Sequence, residues 1–349
     1  MSNKSRPRVA VIGYGRWGRA AHCALVQMAS KLELHGVASS DAQKRAQIEA
    51  ELGCRAYASF DEVVADETVD VVVLATPTHT HAPLAIAALD AGKNVVTDKA
   101  MCLSLAQCDA MIEAARANHR LLTVFQNRRR DGDFMTVQQL MQNGELGEVN
   151  WIEMAWQGLG AWGSWRGEST KGGGRFYDLG AHLIDQLLLL FPDEIESVYC
   201  RMHHDFPDKD VESEALIIVN FAGGRTGVCD LSSRCAIAKP RFLVHGSAAT
   251  FCKYGLDPQE NALKAGDIDA AEETPENYGL LKSADSERHV PTVAGRWRDF
   301  YENLGEVLTD GAKPMVSLSD ARRTMSVIDA ALQSARCGEV VGFGQNGAR

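Results

Sequence analysis

The sequence predicts an α/β protein in two parts. Residues 1–125 read as an N-terminal Rossmann domain, a doubly wound parallel sheet. Residues 126–349 read as a C-terminal α+β domain with a large, open, mostly antiparallel sheet. Three observations carry this. Apolar runs and helix-like stretches alternate through the first third of the chain, as parallel strands and their helical crossovers do. A G-x-G-x-x-G triplet closes the first apolar run. Beyond residue 125 the strand-like runs follow one another across short polar turns without helices between them, the pattern of antiparallel strands.

Taken in order, RVAVIG (8–13) is a buried strand and RWGRAAHCALVQMAS a helix. LELHGVAS (32–39) is a strand, and DAQKRAQIEAELG a helix closed by Gly53. VDVVVLATP (69–77) is apolar on both faces, as a central parallel strand must be. HAPLAIAALDAG is a helix that stops at Gly92, NVVTDK a strand, SLAQCDAMIEAARANH a helix capped by Ser104, and LLTVF (121–125) a strand. In the second part FMTVQQLMQNG is helical and EVNWIEMAW extended. A glycine-rich loop then leads into the apolar helix LIDQLLLLF. IESVYCRM, ALIIVNFA, TGVCDLSS, RFLVHGS and TFCKYG are strands. Residues 257–290 read as an irregular surface excursion, and helices over 295–309 and 319–336 close the chain, the last expected to pack back on the N-terminal domain.

A net charge of −10 disfavours nucleic acid or an anionic membrane as partner. The basic run NRRR (127–130) then reads as a solvated edge or an anion contact. The nine cysteines form no C-x-x-C pair and no metal-type spacing, so buried thiols in a cytoplasmic protein are expected. The basic start MSNKSRPR is followed only by VAVIG, too short for a signal segment. No apolar run reaches membrane-spanning length.

Gly13, Gly15 and Gly18 make the triplet, with Arg16 and Trp17 in the same turn. The first glycine allows a sharp turn, the second lets backbone approach a pyrophosphate, and the third lets the helix pack close. About 20 residues on, an acid would select NAD. Ser39 and Ser40 stand there instead, with Lys44 and Arg45 following, which suits the 2′-phosphate of NADP(H). Asp41 is the dissenting residue: as ribose ligand it would favour NAD(H). A helix N-cap is the alternative reading of the whole Ser39-Ser40-Asp41 stretch.

Lys99 closes a buried strand at the carboxyl edge of the sheet, where its ammonium could stabilise a forming alkoxide. Asp178 and His182 are spaced i, i+4 behind three glycines, and so share a helix face. An imidazole there can accept the proton that a hydroxyl must lose when it releases hydride, and the carboxylate can orient it or hold a second hydroxyl. A metal held with Asp185 is the less favoured reading, and no metal is expected. A buried histidine satisfied within a structural helix is the plain alternative.

These motifs, together with TPTHTH (76–81), DKA (98–100) and YDLGAHLIDQ (177–186), resemble the glucose–fructose oxidoreductase / inositol dehydrogenase / rhizopine-catabolism family of NAD(P)-dependent oxidoreductases. Residues 125–149 and 244–260 are most similar to its NADP-dependent scyllo-inositol dehydrogenase-like branch. The resemblance implies a catalytic Lys99 within Asp98-Lys99-Ala100, where relatives carry E-K-P, and catalytic Asp178 and His182. It implies cofactor contacts from Thr76, Pro77, His81, Asp98 and Asn127, and a homodimer or homotetramer formed through the C-terminal sheet. Ala100 in place of proline implies a less firmly placed lysine. Trp162, Trp165 and Arg166 would line a pocket for a sugar or cyclitol ring. The implied reaction is hydride transfer between a secondary alcohol and its ketone. Alternatives are NADPH-dependent reduction of a 1,5-anhydro-ketose or other keto-sugar, or an NADP-sensing regulator without turnover.

Overall fold

The structure, a computed structural model, describes residues 6–343; the first five residues of the basic start lie outside them. The chain opens with β1 (Arg8–Ile12), a π-helical turn Gly18–Cys23 and α1 (Ala24–Met28). It continues through β2 (Glu33–Ala38), α2 (Ala42–Leu52), β3 (Arg55–Tyr57) and α3 (Phe60–Ala65). Then come β4 (Val71–Leu74), α4 (His81–Asp90), β5 (Asn94–Thr97), α5 (Leu105–Ala117) and β6 (Leu122–Val124). The strands pair in parallel in the order β3-β2-β1-β4-β5-β6. This is the doubly wound sheet expected, and β4 is its buried centre.

Local chemistry sets the ends of these helices. The Asp41 carboxylate accepts the Gln43 and Lys44 amides at the start of α2, and Gly53 ends that helix in the left-handed region at φ 61°. The Ser104 hydroxyl accepts the Gln107 amide at the start of α5. β3 and α3 lie in a stretch where the sequence shows no clear periodicity; the Ser59 hydroxyl caps α3.

The second part contains α6 (Gly132–Gln142), β7 (Val149–Gln157), a π-helical turn Phe176–Gly180, α7 (Ala181–Leu190), β8 (Ile195–His203), β9 (Glu214–Phe221) and β10 (Arg225–Ser232). It continues with β11 (Phe242–Gly246), β12 (Thr250–Lys253), α8 (Gln259–Lys264), β13 (Gly279–Lys282) and β14 (Glu287–Val290). The chain closes with α9 (Asp299–Asp310), α10 (Leu318–Cys337) and β15 (Val341–Gly342). Nine strands form one sheet, β14-β13-β12-β11-β7-β10-β9-β8-β15, antiparallel except for the parallel pair β7–β10. Along β9 buried and half-buried residues alternate strictly, so one face is packed. α7 lies close against that sheet: a Cβ on Gly227 of β10 would overlap the Leu187 side chain.

Residues 257–290 are not the irregular excursion expected. They hold α8 and the two strands that extend the sheet, with Leu263, Ile268, Leu281 and Val290 buried, because sparse apolar residues suffice for edge strands. NRRR is likewise not a solvated edge. Arg128 is buried, pairs with Asp131 and Glu260, and stacks 4.5 Å over the Trp156 ring. Arg129 is buried in a two-pronged pair with Asp185, at 2.8 and 2.7 Å.

The chain divides into two compact units. The first runs to Asn127 and takes in Trp297–Arg322; the second holds Arg128–Arg296 and the described residues from Arg323 onward. The sequence boundary at 125/126 leaves residues 297–322 in the later part, whereas α9 clusters with the parallel sheet. Aromatic packing is the reason. Phe300 and Tyr301 meet Phe125 at the end of β6, at 4.9 and 5.6 Å between ring centroids, and Trp297 meets Trp17 at 6.1 Å. The Tyr301 hydroxyl lies 2.6 Å from His22 Nδ1. Among the described residues no helix is long and apolar enough to cross a membrane.

Candidate active site

In the first unit, the register aligns Ile12 with Ala38 and with Leu74, and Leu74 with Thr97. Gly13, Ser39, Ala75 and Asp98 therefore stand side by side on the carboxyl edge, at the β1/β4 point where strand order reverses. The three glycines do separate jobs there. Gly13 has φ +105°, and a Cβ on it would come within 2.6 Å of the Ala75 carbonyl oxygen. A Cβ on Gly18 would overlap the Gly13 carbonyl, so the helix packs onto the turn. Over Gly15 a Cβ would meet nothing within 4 Å, leaving that backbone approachable. Trp17 Nε1 and Asn127 Nδ2 are buried donors without a partner among the described residues. A bare glycine turn with unspent donors fits a dinucleotide.

At the end of β2, the Arg45 guanidinium donates to the Ser39 carbonyl at 2.8 Å, so this arginine sits at the strand end; Ser40 and Lys44 are exposed. The Asp41 carboxylate is engaged as the cap of α2. The N-cap reading thus fits Asp41, whose N–H donates to the Ser39 hydroxyl at 3.3 Å, and leaves Ser40 exposed at the strand end.

Lys99, half-buried, is held by its neighbours. Its backbone N–H donates to Asp98 Oδ1 at 2.8 Å, and Asp98 Oδ2 stands 3.6 Å from His22 Nε2. The Lys99–Ala100 peptide is cis, and the Ala100 carbonyl lies 2.9 Å from His81 Nδ1. His81 Nε2 lies 2.9 Å from the Thr76 carbonyl. One expectation changes here. Asp98 and His81 hold the lysine turn: both ring nitrogens of His81 face carbonyls, and Asp98 accepts the Lys99 amide. The Ala100 departure does not leave the turn loose. Burial pulls the His81 pKa below its ordinary value, against the nearby Asp98 charge. Burial would raise Asp98, but the neighbouring His22 and the Lys99 and His81 charges outweigh it and hold the carboxyl below the usual range. Thr76 and Pro77 lie half-buried in the loop after β4, where the Thr76 hydroxyl meets the Thr80 hydroxyl at 2.6 Å.

In the second unit, Asp178 lies in the π turn and His182 in the first turn of α7. Asp178 Oδ2 accepts from Arg166 Nε at 3.2 Å, and the Arg166 guanidinium lies 4.5 Å from the Trp165 ring. These three expected residues are therefore assembled together. Trp162 instead lies under Arg175, 5.2 Å from its guanidinium. His182 is buried and stacks on Trp156, with ring centroids 6.3 Å apart at 24°. Behind it, the buried Gln186 accepts from Arg241 at 2.6 Å and donates to the Arg128 carbonyl at 2.7 Å. The Asp185 carboxylate is occupied by Arg129, and no three-residue metal cluster occurs among the described residues. Trp156, Arg175, Arg241 and Glu212 were missed by the sequence reading. Each stands alone in the sequence, with no spacing to mark it.

Two family models match the chain: the oxidoreductase family with an NAD-binding Rossmann fold over residues 7–126, and the GFO/IDH/MocA C-terminal domain over 134–252. The uncharacterised oxidoreductase YdgJ of Escherichia coli (strain K12) is 32% identical over 94% of this chain and 96% of its own. The scyllo-inositol 2-dehydrogenase (NADP(+)) IolW of Bacillus subtilis (strain 168) is 28% identical over 94% of each. The solved structure of the oxidoreductase yvaA from Bacillus subtilis superposes with a TM-score of 0.91 at 25% identity, covering 97% of this chain and 99% of that one. With the glycine turn, the lysine turn and the Asp178–His182 turn built as above, the chain belongs to the GFO/IDH/MocA family and is an NAD(P)-dependent oxidoreductase acting on CH–OH groups.

Proposed function

We propose that the protein interconverts a secondary alcohol of a sugar or cyclitol and its ketone, with NADP(H) preferred over NAD(H). The Asp178–His182 turn carries this reading: a half-buried carboxylate paired with Arg166 stands one turn before an imidazole. When bound, the nicotinamide supplies the hydride acceptor. His182 takes the hydroxyl proton, and Asp178, held by Arg166, accepts from a neighbouring ring hydroxyl. The Lys99 ammonium stabilises the developing alkoxide, its turn held by Asp98 and His81. Trp165 offers an aromatic face to the C–H face of the ring. A panel of cyclitols, sugars and keto-sugars, assayed in both directions with both coenzymes, tests the reading. Turnover of cyclitols or polyols is expected; a panel of non-carbohydrate alcohols turned over in its place contradicts it.

The coenzyme preference rests on Ser39 and Ser40 at the end of β2 and on Arg45 beside them, and the relative IolW carries NADP(+) in its name. Ser39→Asp places a carboxylate where a 2′-phosphate would lie, and like charges repel. The kcat/KM ratio of NADPH to NADH is expected to fall at least about tenfold, a change of roughly 1.4 kcal/mol. An unchanged ratio would show that the 2′ position is read elsewhere.

A further inference from the structure

Glu212 lies just before β9 and is 7% exposed. Its Oε1 accepts the Phe176 N–H at 2.6 Å, and the Arg175 amide also bonds to the carboxylate. Those amides open the π turn that carries Asp178, so the carboxylate sits where a helix start favours negative charge. The glycines before the turn follow from this arrangement rather than from a ligand. Gly174, at φ +87°, lies so close that a Cβ would overlap both carboxylate oxygens. A Cβ on Gly173 would overlap the Arg166 carbonyl, and the Gly173 N–H donates to the Glu168 carbonyl at 3.0 Å. Arg166 in turn pairs with Asp178. One loop is thus tied to Glu212 on one side and to the Arg166–Asp178 pair on the other.

We propose that Glu212 is the positioning residue of the Asp178–His182 turn, its carboxylate clamping the amides that set where those two side chains point. The inference rests on the roles given to Asp178 and His182 above. Among the described residues, the charged and titratable groups that face Glu212 are Arg175 of the turn and Cys200 of β8. Arg175 also reaches Ser233 and stacks on Trp162. Burial outweighs the amide donors and the Arg175 charge and pushes the Glu212 carboxyl up to about 7. The clamp therefore converts near neutrality. The ionised form accepts both amides; protonation turns one oxygen into a donor and releases an amide. The folded pKa lies above the ordinary carboxylate value of 4.5. This group's contribution to stability is therefore full below that value and is lost as pH rises through about 7. The aimed form of the turn is the less stable one.

The test follows tryptophan emission of the whole protein across neutral pH, without substrate or coenzyme, since Trp162 reports on Arg175. A step with its midpoint near 7 is expected in the natural protein, absent in Glu212→Gln and diminished in Trp162→Phe. With substrate, Glu212→Gln and Gly174→Ala are each expected to lower kcat by at least about tenfold, leaving the NADPH dissociation constant unchanged, as misplacement of catalytic groups does. A step that persists in Glu212→Gln, or a natural kcat in either variant, overturns the proposal. Should Glu212→Gln not fold, Glu212→Asp decides. A shifted midpoint and lowered kcat with natural coenzyme binding support the clamp; natural values for both refute it. If the natural protein turns over no carbohydrate, the proposed reaction falls, while the emission step still decides the role of Glu212.

Discussion

His182→Ala is expected to lower kcat by about 10²–10⁴-fold, the range removed with a general base, while NADPH binds as before. Lys99→Ala is expected to do comparable damage by withdrawing the charge that stabilises the alkoxide. The two losses differ in their cause and so in their remedy. His182 is buried against Trp156, so its truncation also leaves a hole beside that ring. His182→Gln fills the hole without restoring a base and should remain as slow as His182→Ala. Lys99 is half-buried, and its backbone is held by Asp98 and through the Ala100 carbonyl by His81. Lys99→Ala should leave that turn intact. Steady-state kinetics with a coenzyme titration checks both. Loss of coenzyme binding alongside turnover would mean that the lysine turn holds the coenzyme and not the substrate.

Arg129→Met is expected to destabilise the second unit by about 3–5 kcal/mol, because it leaves the buried Asp185 carboxylate without its two-pronged partner. Asp185 lies on α7, three residues past His182, so the pair anchors the helix that delivers the imidazole. The double change Arg129→Met with Asp185→Leu removes both charges and is expected to recover most of the loss, since an apolar pair of similar bulk has no ion to desolvate. Thermal unfolding reads this out: a drop in Tm of roughly 10 °C or more for the single variant, and a smaller one for the double. Equal drops would show that the volume matters there and the charge does not.

The parallel sheet was legible because its strands are buried on both faces and read as continuous apolar runs, Val71–Leu74 above all. The caps Asp41, Gly53 and Ser104 were legible because capping chemistry is local. β3, β13 and β14 were not, since short strands at or beside a sheet edge bury too little to leave a pattern. The placement of α9 with the first unit depends on Phe300, Tyr301 and Phe125, which are far apart in sequence and meet only in space. In the site, Gly13, Gly15, Gly18 and Lys99 announced themselves by motif, and Asp178 and His182 by spacing. What holds them did not. His22, Tyr301 and Glu212 act through contacts across long stretches of chain, and Arg128 and Arg129 were misjudged because a run of three arginines reads as surface until its buried carboxylate partners are known. The run of glycines at 172–174 does not say in sequence what it makes room for; the structure makes Gly173 and Gly174 room for Arg166 and Glu212.

The central claim is that the Lys99 ammonium and the His182 imidazole both serve the proposed reaction. A double-mutant cycle on kcat/KM, with Lys99→Ala, His182→Ala and the pair, tests it most directly. Groups that work as one machine lose nearly everything with the first removal, so the double variant is predicted to be about as slow as the slower single one. Losses that multiply, each variant subtracting its own share regardless of the other, would show that the two groups act independently and contradict the account.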